Sequence, residues 1–492
     1  MSKQQLVGFF FEKNYMMTPV LLNKIPDSFD FDSFIENNNH IERVDSVIIL
    51  DENLFSQLVP FGLEEEKEEV QIRSNIVPVV EVISSYQDNP KKREVKDFVL
   101  FMKSRYKQIK KILLQRIELQ SALSISKALG RAVKEPVSVI GIINSIDQTK
   151  NGHYILELED PTGFIKILIS NTKEELIPLM EQIVLDEIIG ISGSMGENII
   201  FVNELYFPDM PLKEYKKSKD DVSVAFISDL HIGSKLFAEE EFEKFIEWIN
   251  CNYGTNEQKE LASKVKYLMI AGDLVDGVGI FPGHESELNI KDVYKQYEKL
   301  AEYLSAIRKD IKIVLCGGNH DALRLAEPQP PLSQDFARAV YKLNNVINIS
   351  NPGIVRIHNQ FDIMMYHGFS FDYYVNNVTY LRNEGGYNNS LAMMEFVLKK
   401  RHISPTHLST LSIPDIDKDS LVVDHIPDIF VTGHFHYDFK IGSYKNVTLI
   451  GSAGFQKKSA YQEKLGHENI CYGKTAVINL KTRKSTIIDF NN

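Results

Sequence analysis

Apolar runs of strand length in the second half of this chain end, one after another, in short polar clusters, and that pattern restricts the fold more than any other feature. Residues 222–227 run into Ser228-Asp229-Leu230-His231, residues 265–270 into Ala271-Gly272-Asp273, and residues 311–315 nearly into Gly318-Asn319-His320-Asp321. Residues 363–365 lead to Tyr366-His367-Gly368, and residues 429–431 to Gly433-His434-Phe435-His436. His, Asn and Asp are poor core residues, because buried polar groups cost free energy unless satisfied. Placed after apolar runs, beside glycines that free the turns, they make physical sense when the strand ends gather along one sheet edge. Any one of these histidines alone reads as an ordinary satisfied side chain; the ordered set does not.

These residue types suit a pair of divalent cations. Two such ions about 3.5–4 Å apart need a bridging carboxylate and further oxygen or imidazole donors held by rigid elements. Asp273 is the natural bridge. One ion would take Asp229, His231, Asp273 and His436; the other would take Asp273, Asn319, His367 and His434. On an extended segment, the D-x-H step of Asp229 and His231 and the H-x-H step of His434 and His436 each put two side chains on one side. The donors are oxygen and imidazole, which favours manganese, with magnesium, iron or zinc as alternatives.

Clusters of these types in this order resemble the calcineurin-like, or binuclear metallophosphoesterase, superfamily with every metal slot filled. The resemblance implies a C-terminal αββα sandwich, two β-layers flanked by helices, with the metals at the carboxyl ends of the strands. It also implies that His320 is the catalytic residue, meeting the substrate phosphate and protonating the leaving oxygen. Asp276 and Asp321 then read as acceptors that orient the ligands, and Arg324 as a candidate phosphate contact. His284 fills no slot of the pattern, and His358, His402, His407 and His425 read as structural.

A chain of 492 residues suggests about three domains, and 43% hydrophobic with 25% charged residues is ordinary for a folded soluble protein. Cys251, Cys316 and Cys471 are widely spaced with no C-x-x-C pair, so neither a disulfide framework nor a thiolate zinc site is indicated. No long uncharged apolar stretch and no leader pattern occur, so a cytoplasmic, nucleoid-associated protein without membrane contact is expected. A net charge of −12 argues against coating nucleic acid unaided, since that affinity comes from Lys and Arg neutralising phosphates.

Residues 1–60 read as a helical domain, with helices over 5–13, from Pro19 onward and over 31–35. Gln4, Val7, Phe10 and Phe11 match the spacing by which short peptides dock on sliding clamps, and equally an apolar helix face. An acidic run over 64–69 and a polar stretch over 89–96 bound a solvated linker, 61–96. Residues 97–134 hold a basic amphipathic helix predicted over 97–117, with Phe98, Met102, Tyr106, Ile109, Leu113 and Ile117 on its apolar face. Residues 135–212 carry short β-rich runs separated by turns, with a helical interval over 173–182 where an OB-fold β-barrel places its helix. Tyr154, Phe164 and Phe201 fill such a barrel as readily as they line a nucleic-acid groove, so the sign of strand binding is thin; the resemblance implies instead an interdomain and subunit docking role, which is favoured. The remaining domain is 213–492.

An OB-fold directly before a metallophosphoesterase domain, with Arg105-Tyr106 in the preceding helix and Glu327-Pro328-Gln329-Pro330 after Gly-Asn-His-Asp-Ala, resembles the small subunits of archaeal family D DNA polymerases along most of the chain. That resemblance implies a metal-dependent 3′–5′ exonuclease, proofreading DNA 3′ ends and docked on a large catalytic polymerase subunit. The alternatives are a catalytically silent scaffold subunit and a stand-alone metallophosphatase. Against the scaffold stand eight polar groups whose mutual repulsion and desolvation would be costly without cations.

Overall fold

Leu6 and Phe10, four residues apart, give the helix Lys3–Glu12 its buried face. The computed structural model of the protein describes residues 3–24, 41–44, 47–50, 55, 76–88, 90–415, 417–458 and 470–491. The chain divides into two units, residues 1–71 and 72–492. In the first, strand β1 (Tyr15–Met17), a helix Pro19–Lys24 and strand β2 (Ile48–Leu50) follow, with β1 and β2 paired in parallel. The expectation of an all-helical domain is corrected here: the two three-residue strands meet across a long sequence gap, which no local periodicity announces. Leu6, Phe10, Tyr15, Leu21, Ile41, Leu50 and Phe55 form the core. Phe10 is fully buried while Phe11 is 65% exposed, so the clamp-docking spacing does not present one free face. The helix expected over 31–35 and the acidic run over 64–69 lie outside the described residues.

The linker expectation is also corrected. Val80–Ser85 form strand β3, which pairs antiparallel with residues 353–357, and its flanks are tied by Val79 N–H to Tyr267 Oη (3.2 Å) and Tyr86 N–H to Ser350 Oγ (2.7 Å). The β-branched residues Val79, Val80, Val82 and Ile83 carry this strand, and charged stretches on both sides obscured it.

The basic helix runs over Val95–Leu113, started by a capping box between Glu94 and Asp97. Its buried residues are Asp97, Phe101, Arg105, Tyr106, Ile109 and Leu113, whereas Phe98 and Ile117 are 49% and 83% exposed. Tyr106, Ile109 and Leu113 are buried as predicted, but the helix ends before Ile117 and the buried face shifts to take in Arg105, whose Nε reaches Asp419 Oδ2 at 2.6 Å and whose Nη1 donates to the Pro405 carbonyl at 2.9 Å. Its neighbour Tyr106 donates instead to the Ile140 carbonyl at 3.0 Å. Adjacent residues thus fasten one helix to the segment 136–148 on one side and to the loop residues Pro405 and Asp419 on the other.

Strands β4 (Pro136–Gln148), β5 (Tyr154–Asp160), β6 (Gly163–Ile169), β7 (Ile188–Met195) and β8 (Ile199–Tyr206) close into a barrel in the order β4-β5-β6-β8-β7. A short helix, Ile177–Met180, lies between β6 and β7. Leu156, Leu158, Ile165, Ile167 and Ile191 fill the interior. Tyr154 packs beside that core, but Phe164 and Phe201 lie outside it, about half exposed. The Asp160 carboxylate accepts from Thr162 N–H at 2.8 Å, closing the turn, and from Ile125 N–H at 3.0 Å.

The rest forms two facing sheets. The first has the order β12 (Val346–Asn348), β11 (Lys312–Cys316), β10 (Val265–Ala271), β9 (Ser223–Ile227), β18 (Lys474–Asn479), β19 (Ser485–Asp489). The second has β16 (Lys440–Tyr444), β17 (Val447–Gly451), β15 (Ile429–Thr432), β14 (Phe361–Met365), β13 (Gly353–Ile357), β3. Strands β9, β10, β14 and β15 are buried at every position, which explains why they read as unbroken apolar runs. Phe226, Met269, Val314, Ile363, Met365 and Val431 pack between the sheets. The outer face of the first sheet meets the helices Glu239–Ile249 and Val293–Ala306 through Phe245, Trp248, Tyr297 and Leu304; that of the second meets Phe371–Asn377 and Ser390–Lys400 through Tyr374, Met393 and Val397. The layers run helix, sheet, sheet, helix. No helix among the described residues is long and apolar enough to cross a membrane.

Candidate metal centre

Parallel register aligns the strand ends. Ile227 sits beside Ile270, Ala271 beside Cys316, and Met365 beside Val431, so the five polar clusters emerge at one edge. Backbone bonds then lace the loops together, Asp229 N–H to the Gly272 carbonyl at 2.9 Å and His231 N–H to the Asp273 carbonyl at 3.0 Å. Asp229, His231, Asp273 and His434 have φ of 49°, 50°, 48° and 68°. The extended D-x-H and H-x-H geometry is therefore wrong; the side chains converge because the backbone there turns through the left-handed region. Such backbone is uncommon outside glycine and clusters at functional sites.

The structure brings the seven predicted ligands together. Asp229, His231 and His436 form one group of donor atoms within 4.8 Å of one another, and Asp273, His367 and His434 form another. Asp273 Oδ2 lies 3.7 Å from His231 Nε2 and 3.1 Å from His367 Nε2, between the groups. Asn319 Oδ1 is 3.0 Å from His367 Nε2, and His436 Nε2 is 3.2 Å from Asp229 Oδ1. A side chain at Gly318 or Gly433 would fill this space, its Cβ falling 2.2 Å from Asp273 Oδ1 or 2.5 Å from Asp229 Oδ2.

Three of the predicted ligand histidines have one ring nitrogen committed to an outer partner, which leaves the other for the centre. Nδ1 of His231 is held by Asp276 Oδ1 at 2.8 Å, Nδ1 of His367 by the Ala271 carbonyl at 2.9 Å, and Nε2 of His434 by Asp372 Oδ2 at 3.1 Å. This is the arrangement by which outer partners set a ligand's tautomer. His231 Nε2 is left buried without a hydrogen-bond partner, and His367 Nε2 faces two oxygens. Both positions ask for a cation, so the residues fit a divalent metal pair. Burial alone would raise the Asp273 carboxyl, but the charges of His367 and His320 override it and hold it well below the usual carboxylate range. Burial would likewise lower His367, yet Asp273 draws it up to about 10.

His320 lies against this centre, its ring 4.6 Å from that of His231, with Nδ1 donating to the Asp276 carbonyl at 2.9 Å. Asp276 also takes His284 Nε2 at 3.2 Å. Asp321 orients no ligand histidine; it accepts from the backbone N–H groups of Gly318 and Leu274 and from Tyr297 Oη, and so fixes two ligand loops. Arg324 pairs with Asp88 and donates to the Ala326 and Pro328 carbonyls. His358, His402, His407 and His425 pair with Asp220, Asp419, Asp186 and Asp362.

Sequence reasoning missed Asp372, which no strand-end pattern marks because it enters from the start of a helix. It also missed the work of the Glu-Pro-Gln-Pro stretch. Tyr366 Oη donates to Glu327 at 2.7 Å, and Gln329 donates to the Gly318 carbonyl and accepts from Asn351, whose Oδ1 holds His367 N–H at 2.8 Å. Burial pushes the Glu327 carboxyl up to about 7.

Residues 224–440 match the family model for the B subunits of DNA polymerases alpha and epsilon, and residues 137–205 that for an OB-fold nucleic acid binding domain. The second match falls on the barrel strands and the first on most of the two facing sheets, so the chain is similar to B subunits of DNA polymerases in the region that carries the polar clusters. The DNA polymerase II small subunit of Methanothermobacter thermautotrophicus is 40% identical over 386 residues, 78% of each chain. That of Pyrococcus abyssi is 34% identical over 471 residues, 89% of this chain and 74% of the relative, and that of Archaeoglobus fulgidus 34% over 411 residues, 83% and 80%. The chain belongs to the DNA polymerase II small-subunit family of archaeal family D polymerases.

Proposed function

We propose that this chain is a metal-dependent 3′–5′ exonuclease with a calcineurin-like phosphoesterase centre, which proofreads DNA 3′ ends while docked on a large polymerizing subunit. The observation that carries the reading is Asp273, a single carboxylate set between His231 and His367 with a ligand group on either side. Asp229, His231, Asp273 and His436 would hold one ion and Asp273, Asn319, His367 and His434 the other, with manganese the expected metal. When bound, such a pair supplies Lewis acidity at phosphorus and ionises water near neutral pH.

The chain's own part is the leaving group. Hydrolysis at a 3′ end breaks the P–O3′ bond and releases a nucleoside 5′-monophosphate, so the departing O3′ of the penultimate nucleotide needs a proton. His320 Nδ1 is anchored on the Asp276 carbonyl, which leaves Nε2 to deliver that proton as imidazolium. Replacing His320 with Ala is expected to slow release of nucleotide from mismatched primer ends by about 10²–10⁴-fold, with manganese binding retained. A variant as fast as wild type would remove His320 from the chemistry. Hydrolysis of phosphate monoesters alone, with none at DNA ends, would refute the exonuclease and favour a phosphatase. Docking on a partner is supported by family membership and by the apolar side chains Val95, Phe98, Val99 and Leu100, exposed together on one helix.

A further inference from the structure

Between Asp276 and His284, both buried, residues 278–283 are all exposed. The side chains there are apolar: Val278, Ile280, Phe281 and Pro282. Gly277, Gly279 and Gly283, at φ of 73°, 74° and 84°, bend the loop outward. Phe281 is 40% exposed, although burying such a ring fully is worth about 1.5–3 kcal/mol. Its ring is nonetheless fixed. It lies on the His284 imidazole with centroids 4.5 Å apart at 39°, and His284 N–H donates to the Phe281 carbonyl at 3.1 Å. His284 is pinned at both ring nitrogens, Nδ1 accepting from Ile280 N–H at 3.3 Å and Nε2 donating to Asp276 at 3.2 Å. The His284 ring is 6.0 Å from the His320 ring. A held aromatic face therefore stands one imidazole away from the residue that protonates the leaving oxygen.

We propose that Phe281 is a stacking platform for the base of the penultimate nucleotide, the one that keeps the departing O3′. The inference rests on the exonuclease reading and adds where the strand lies on the centre. Stacking on an aromatic ring tolerates every base, as an enzyme that trims any 3′ end requires. Phe281 is then a positioning residue. Its connection through His284 and Asp276 to His231 and His320 keeps platform and centre in one rigid frame.

Two measurements on the full chain test this. For single-stranded 3′ ends, Phe281→Ala is expected to raise KM roughly tenfold with kcat changed less than about twofold, and Phe281→Trp to restore KM. In the His320→Ala protein with manganese, an oligonucleotide carrying 5-iododeoxyuridine at the penultimate position is expected to photocrosslink to Phe281, as located by mass spectrometry. A fall in kcat at constant KM would overturn the platform and leave Phe281 a prop for His284, and crosslinks confined to other residues would overturn it too. Wild-type protein that releases no nucleotide from DNA would sink the exonuclease reading, while a crosslink at Phe281 would still support stacking there, so the two failures are distinguishable.

Discussion

Asp273→Asn is expected to lower nucleotide release from DNA 3′ ends by at least about 10⁴-fold, measured with labelled mismatched primers in manganese. The substitution keeps the side chain's shape and its Oδ1 acceptor for His320 N–H, which lies at 2.8 Å. It removes the charge from Oδ2, the oxygen placed between His231 and His367. An amide there would hold cations far more weakly than a carboxylate, and the several kcal/mol of charge stabilisation that a bound pair would supply would be lost. A silent scaffold would show the same background rate with or without the substitution, so the comparison also separates those readings.

Arg105→Met is expected to destabilise the fold by about 3–5 kcal/mol at pH 8, the cost of leaving a buried charge without its partner. Asp419 is fully buried, and among the described residues His402 Nε2, at 2.9 Å, and the Leu421 N–H would remain to it. His402 is a neutral histidine of defined tautomer, since its Nδ1 accepts from Ser404 N–H at 3.0 Å. Burial first, and then the Arg105 charge, push it down to about 4. Its unfolded value is near 6.5, so the unfolded chain takes up the proton first. Wild-type stability is therefore unaffected by this group above about pH 6.5 and falls by about 3 kcal/mol between there and about pH 4. Without Arg105, His402 protonates more readily and partly replaces the lost cation, so the cost of the substitution shrinks at about pH 5. Denaturant unfolding at the two pH values checks this; a cost below about 1 kcal/mol, or one independent of pH, would contradict it.

The gathering of the polar residues at the candidate centre was legible in the sequence because they follow directly on apolar strands, where a polar residue has to be accounted for. What the sequence concealed has physical causes. Asp372, Glu327 and Gln329 act from helices and loops, where polar residues are unremarkable, and only contact with His434, Tyr366 and Gly318 gives them meaning. Asp229 and His231 converge through left-handed turns, which a D-x-H spacing cannot distinguish from a strand. The helix Val95–Leu113 was expected to run on to 117, and its buried face, which does include Tyr106, Ile109 and Leu113, was drawn without Arg105, because counting that residue as solvent-facing ignores a carboxylate 314 positions away. Strand β3 was lost for a related reason: its partner β13 lies far along the chain, and its own short run sits among charges.

Titration of manganese into metal-free full-length protein, followed by calorimetry and electron paramagnetic resonance, tests the central claim most directly. Two ions per chain with an exchange-coupled spectrum, reduced to one uncoupled ion or none by Asp273→Asn, is the expected result. One ion, none, or two magnetically independent ions in the wild type would contradict a carboxylate-bridged pair.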